Sequence, residues 1–237
     1  MTASIRQQKL AALRDRIASP QDAYERCRVY PCPNRTTADQ GEGLNRLYCR
    51  QHIEHYRRHG SYVKSSYRSQ ELRPYRQVAL RWLQGHEDLP LVRRAVVSVR
   101  GLYASAGAPV EAFRLAGRPP RDRARAIWAR LRAKEVHPML VVAAWLAVLL
   151  RLEDDPQPDR HQEYRRVQAA KLLHRMAGGT HKRWERVLAD GTIESTELHK
   201  HPVSRGRVLR VLGDTLADAC DGLDASFIAA EARHINS

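Results

Sequence analysis

Four residues in the first quarter of the chain could share one metal ion: Cys27, Cys32, Cys49 and His52, spaced Cys-x4-Cys-x16-Cys-x2-His. Three thiolates and an imidazole complete a tetrahedral shell, and a closed shell of that composition suits structural zinc. The chain has four cysteines in 237 residues, and three of them fall in this segment, which points to metal rather than to a disulfide framework. The remaining one, Cys220 in LADACDGL, reads as a small buried residue on a helix. Cys27 and Cys32 flank RVYP, a short proline-containing loop consistent with a knuckle. Cys49 and His52 stand three apart where a helix is predicted to begin, so both project from one face of its first turn. Zn²⁺ is the expected cofactor, with Cys27, Cys32, Cys49 and His52 as ligands; His55 or His59 could take the place of His52.

Helical periodicity sorts the stretch YCRQHIEHYRRHGS, residues 48–61. Cys49, His52, Ile53 and Tyr56 recur at i, i+3, i+4 and i+7, which faces them inward toward metal and core. Arg50, Glu54, Arg57 and Arg58 lie on the opposite side, where the arginines could meet phosphate or simply solvent. His55 and His59 fall on a flank, and Gly60 is a natural end to the helix. This stretch resembles the segment Cys-x2-His-x3-(Tyr/Trp)-x2-His-Gly of small zinc-finger modules in phage and mobile-element proteins, often N-terminal to an HNH endonuclease domain. The resemblance covers about residues 27–62 and implies a treble-clef fold with the same four zinc ligands. The chain departs from that pattern in a longer insert between the ligand pairs, PNRTTADQGEGLNRLY.

An HNH nuclease needs a histidine base, an asparagine that orients it and a helix histidine at a catalytic metal. No histidine precedes Cys49, and Asn45 has no base at a suitable spacing. Downstream, 180–202 offers His181, His199 and His201 but no asparagine. His199 and His201 would share one face of a strand and could bind a metal, or be plain loop histidines. Glu153, Asp154, Asp155, Asp159 and Glu163 could hold Mg²⁺, or form an acidic turn between helices. No phosphate-binding glycine loop or nucleophile elbow is present.

These residues sit in a chain with a formal charge of +15. Residues 1–80 carry 15 Lys/Arg against 7 Asp/Glu, residues 81–150 carry 12 against 5, and residues 151–237 carry 14 of each. The excess is therefore confined to the first 150 residues, and a localised cationic surface favours a polyanionic partner. At 43% hydrophobic and 28% charged, the composition is that of a globular protein. The start has no long apolar run, and the longest one, 139–150, is too short to span a bilayer. A cytoplasmic protein is expected, associated with the nucleoid if DNA-bound, with no membrane partner.

The elements that must position the candidate residues read as mainly helical, with four segments: an N-terminal helix (1–25), a zinc-finger module (26–64), a helical linker or domain (65–118) and a helical C-terminal domain (119–237). Helices are predicted over 4–18, 75–85, 90–105, 110–116, 119–134, 138–152 and 160–176. Asp190-Gly191 signals a hairpin over 184–198. Ser204 could cap a helix to about 219 and Asp224 one over 225–234. Helix 119–134 presents Ala124, Ile127, Trp128 and Leu131 on one face, ringed by Arg121, Arg123, Arg125, Arg130, Arg132 and Lys134. Helix 160–176 aligns Arg165, Gln168, Lys171 and Arg175, residues able to read base edges. The order helix, helix, helix, hairpin over 119–200 matches a winged-helix plan, with 160–176 as recognition helix and a plain helical bundle as the alternative.

The reading is a zinc-containing nucleic-acid-binding protein, DNA ahead of RNA, acting as an accessory or regulatory factor of a phage or mobile element. It would dock phosphates without doing chemistry. Two alternatives remain: a metal-dependent, HNH-like DNA endonuclease, or a partner-binding subunit of a nucleoprotein complex.

Overall fold

The structure, a computed structural model, describes residues 25–202 and 206–228, together with Gln7, Leu10, Ala11 and Arg14. The predicted helix 4–18 lies mostly outside the described residues, as do Ser204 and the end of the predicted helix 225–234. Two compact units divide the chain, 1–65 and 66–237.

The first unit has one described helix of regular length, α1 (Arg50–His59). It starts at Cys49 and stops at Gly60, whose φ of 76° returns its N–H to the Tyr56 carbonyl at 2.8 Å. A left-handed residue is the common way to end a helix, and glycine takes it without steric cost. Upstream, the chain from 25 to 48 folds back on itself through backbone hydrogen bonds. Arg26 pairs antiparallel with Arg35, Cys32 N–H closes a turn onto the Val29 carbonyl, and Thr37 N–H reaches the Tyr48 carbonyl. The long insert is thus a compact turn that leads the chain into Cys49.

The second unit is mainly helical, with one antiparallel hairpin. Its elements are α2 (Ser69–Gly85), α3 (Pro90–Ser105), a short 3-10 turn (Ala112–Leu115), α4 (Pro120–Ala133), α5 (Pro138–Glu153), α6 (Gln162–Ala177), β1 (Thr180–Val187), β2 (Ile193–Lys200), α7 (Arg207–Ala219) and a final 3-10 turn (Ala225–Phe227). Pro90, Pro120 and Pro138 open three helices, where the missing N–H would be unpaired anyway. α2 begins six residues before its predicted start at 75 because the Glu71 carboxylate accepts the Arg68 N–H, half of a capping box; Pro74 then lies inside the helix.

α5 is apolar all round and forms the axis, packed by α2, α3 and α6, while α7 lies against α6, α4 and α3. The polar tips of the core aromatics find partners, as buried tyrosine and tryptophan require. Tyr67 OH donates to Asp155 at 2.6 Å, Tyr75 OH to Asp154 at 2.8 Å, and Trp145 Nε1 to the Leu223 carbonyl at 3.3 Å. α6 and α7 approach so closely that a Cβ on Gly213 would lie 2.6 Å from the Arg166 carbonyl oxygen.

The helix that a winged-helix plan would place in a groove is largely buried. α6 buries nine of its sixteen residues, among them Ala169, Ala170, Leu172 and Leu173, and is packed by α4, α5 and α7. The helix expected to read DNA therefore packs mostly into the bundle, with Gln162 and Arg175 exposed. The hairpin that would have been the wing is longer than 184–198, pairing Thr180 with Lys200 through Val187 with Ile193.

Candidate metal centre

The structure brings Cys27, Cys32, Cys49 and His52 together in the first unit. Their ligand atoms lie within 4.8 Å of one another. Cys27 Sγ is 3.3 Å from His52 Nδ1, Cys49 Sγ is 3.2 Å from the same nitrogen, and Cys32 Sγ is 4.0 Å from Cys49 Sγ. A tetrahedral zinc ion, with Zn–S near ~2.3 Å and Zn–N near ~2.0–2.1 Å, spaces its donors roughly 3.5–3.8 Å apart. The four residues fit such an ion, and Nδ1 is the histidine atom aimed at it.

The surroundings act differently on Cys27, Cys49 and His52. Burial, the largest influence, pushes the Cys27 thiol up to about 11, against backbone N–H groups of Cys49 and Val29 that favour its thiolate. At Cys49 burial also pushes upward, but the His52 N–H, the two neighbouring cysteines and the Asn34 amide carry the thiol below its ordinary value. The start of α1 supplies that N–H, and a helix N-terminus stabilises a thiolate. Burial, helped by His55, holds His52 neutral, the state in which imidazole ligates. Asn34, which donates toward Cys49 Sγ at 3.9 Å, was not anticipated; its place two residues after Cys32 is the only signal of it in the sequence.

The cluster also carries the unit's structure. Among the described residues before Ser66, the buried hydrophobics are Cys27 and Cys49 alone, while Leu44 and Val63 are exposed. Ile53 and Tyr56 are only half-buried, so the predicted inward wedge is shallow. Instead Tyr62 stacks between Tyr48, at 3.7 Å, and Tyr56, at 4.4 Å. A module this small without an apolar core needs a metal or disulfides to hold its shape.

The nuclease ingredients are engaged elsewhere. Asn45 Oδ1 accepts the N–H groups of Leu47 and Tyr48 at 2.9 Å each, shaping the turn before Cys49. His55 Nδ1 donates to the Ser61 carbonyl at 2.8 Å, and its ring lies 4.3 Å from that of His59.

The basic residues divide by unit. On α1, Arg50, Arg57 and Arg58 are exposed. Arg50 reaches Glu54 at 3.5 Å and Glu42 at 4.0 Å, and Arg58 reaches Glu54 at 3.9 Å. Such exposed pairs contribute about 0–1 kcal/mol and yield readily to a phosphate. On α4 the expected basic face is largely taken up by the fold. Arg125 donates to the Ser105 carbonyl at 3.1 Å, Arg132 donates to the Tyr103 carbonyl at 2.7 Å and to that of Gly107, and Arg130 is buried. Arg123 is half-buried and Arg121 stays exposed. On α6, Gln168 is buried and accepts the Tyr67 N–H at 3.3 Å, and Lys171 donates to Ser66 Oγ at 2.5 Å. Burial pushes the Lys171 amine down to about 8. Arg165 is half-buried and Arg175 exposed.

The five carboxylates over 153–163 are not gathered around one point. Asp154 and Asp155 accept from tyrosines, Glu163 pairs with Arg210, Asp159 with His161, and Glu153 with Arg160 at 3.9 Å. His199 and His201 are likewise not a pair: the ladder sets His199 opposite His181, while His201 packs its ring at Gly179. Comparisons with known protein families, curated proteins and solved structures found no match for this chain.

Proposed function

We propose that the chain is a zinc-containing nucleic-acid-binding protein whose first unit is a treble-clef-type finger, held by Cys27, Cys32, Cys49 and His52, and whose α1 docks phosphates through Arg50, Arg57 and Arg58. The observation that carries this reading is the combination of ligands and cations on one helix. Cys49 and His52 anchor one face of α1 while the three arginines stand exposed on it, and among the described residues of that unit no other hydrophobic side chain is buried apart from Cys27. A scaffold stabilised by metal rather than by a core keeps its surface for contact. The cationic excess of residues 1–150 supports the same partner, and DNA comes ahead of RNA. The role is that of an accessory or regulatory factor of a phage or mobile element, by resemblance of the 27–62 segment alone.

α1 is the principal contact. Arg121, Arg125 and Arg175 are the exposed cations of the predicted set on α4 and α6, Arg125 being held by the Ser105 carbonyl; Arg130 and Gln168 belong to the interior. The test is a salt-series titration of the full chain against duplex DNA, single strands and RNA. Log K should fall linearly with log salt, and replacing Arg50, Arg57 and Arg58 by alanine should reduce the slope by up to ~3 on duplex DNA. Binding that ignores salt, or a triple variant indistinguishable from the parent, would sink this reading. A protein partner is the second reading, and the exposed apolar residues Trp184, Val187 and Ile193 on the hairpin favour it; co-purification of a partner without autonomous nucleic-acid binding would select it.

A further inference from the structure

The hairpin places His181 and His199 directly opposite each other across the ladder. Their rings stack, with centroids 3.9 Å apart and planes 12° from parallel. Glu197, two residues before His199 on β2, projects from the same face of the sheet. Its Oε2 lies 3.2 Å from His199 Nε2 and 3.8 Å from His181 Nε2. Across the ladder from Glu197 stands Arg183, the cation best placed to neutralise it, but Arg183 turns to Ser195 Oγ at 3.0 Å and to Glu185 at 3.3 Å. The carboxylate is left to the two imidazoles, and one ligand atom from each of the three residues falls within 4.8 Å of the others. All three are exposed.

We infer that His181, His199 and Glu197 form a second metal site, open to solvent, for a divalent first-row transition ion of the zinc, nickel or copper class. Two imidazole nitrogens and one carboxylate oxygen are the donor set such borderline ions take, whereas Mg²⁺ and Ca²⁺ prefer oxygen alone. The three protein donors leave positions for water or an incoming ligand, unlike the closed Cys/His shell of the first unit. The ion would bridge the two strands. Apart from Thr180 and Leu198, every residue of β1 and β2 is exposed, and an isolated two-stranded hairpin is marginally stable in water. The site stands on the hairpin's own register and is independent of the nucleic-acid reading.

The test uses the full chain carrying one equivalent of zinc in its thiolate site. Equilibrium dialysis against micromolar free Zn²⁺ should show a second equivalent in the parent and only one in the His181→Ala/His199→Ala double variant. Glu197→Gln should weaken the second equivalent, as should each single histidine variant, by at least the ~10–100-fold that loss of an outer-shell partner costs at metal sites. Co²⁺ gives an independent readout, because an ion held by imidazole and carboxylate absorbs without a thiolate charge-transfer band. Cys49→Ser should remove the first equivalent and leave the second. A parent that retains one equivalent only, or histidine variants that retain two, would overturn the assignment.

Discussion

Arg130 is 6% exposed, and none of its three guanidinium nitrogens has a hydrogen-bond partner. A buried charge without a partner is destabilising, and an apolar side chain of similar volume commonly does better. Arg130→Met should therefore stabilise the second unit, by about 1–4 kcal/mol on the scale seen when buried ionic groups are replaced, read from urea unfolding; a loss instead would reveal a partner for the guanidinium. The same neighbourhood holds His174, 8% exposed, with an unpartnered Nε2. Burial first, and then the nearby Arg130, His201, Arg123 and Arg175, push its imidazole down to about 4. The unfolded chain binds a proton near pH 6.5, where the folded chain does not, so stability is full above that value and falls as pH drops toward 4. The loss attributable to His174 is on the order of 3 kcal/mol. It should appear as the difference between acid titrations of the parent and of His174→Leu, followed by urea unfolding at each pH.

The fate of the α4 arginines shows where the element scale governs. A helical wheel places Arg121, Arg123, Arg125, Arg130 and Arg132 around an apolar stripe, and that pattern looks the same whether the cations meet solvent, phosphate or another helix's carbonyls. The deciding fact is the end of α3 beside α4, which leaves carbonyls at Tyr103, Ser105 and Gly107 for Arg125 and Arg132 to cap. Helix C-termini carry partial negative charge and unpaired carbonyls, so these bonds are structural. Arg132→Ala should destabilise the unit by about 1–3 kcal/mol without changing the salt slope of nucleic-acid binding; a changed slope with unchanged stability would return Arg132 to the docking surface. Helix positions were legible because proline and glycine mark their ends, and the metal ligands because soft ligands at short spacing have few other uses. The apolar run 139–150 marks α5 as a buried helix, but the burial of α6 was not legible: its Arg, Gln and Lys suggested a surface, while Ala169 and Ala170 set its close packing. The His181–His199 pair was hidden for a different reason. Folding the strands about Asp190 sets 181 against 199, a cross-strand relation that the i, i+2 spacing of His199 and His201 along one strand does not contain.

At the scale of the molecule, the two units are stabilised by different physics. The second buries a contiguous core from Tyr67 to Ile228, whereas among the described residues of the first the buried hydrophobics are Cys27 and Cys49. Where a Cys/His cluster of this kind holds zinc, as proposed for the first unit, binding free energy is folding free energy. Chelation, or Cys49→Ala, should therefore abolish amide protection across 26–62 while leaving the thermal transition of 66–237 in place. Joint unfolding of both segments on chelation would refute the separation. On the proposed function, Arg50, Arg57 and Arg58 would then lose their scaffold without any change in their own charge, and binding to nucleic acid should fall with the metal.

The contact between α6 and α7 has a consequence for how freely the sequence can vary. A methyl group at position 213 would enter the backbone of Arg166, with the carbonyl oxygen at 2.6 Å, the carbonyl carbon at 2.8 Å and Cβ at 2.9 Å. Backbone cannot swing aside as a side-chain end can, so even alanine would force the helices apart. In a saturation library selected for folded protein, position 213 should retain glycine alone, while Asp218, exposed five residues later on the same helix, should accept most replacements. The alphabet at one site of α7 is a single letter, and the spelling of its outward face is nearly free.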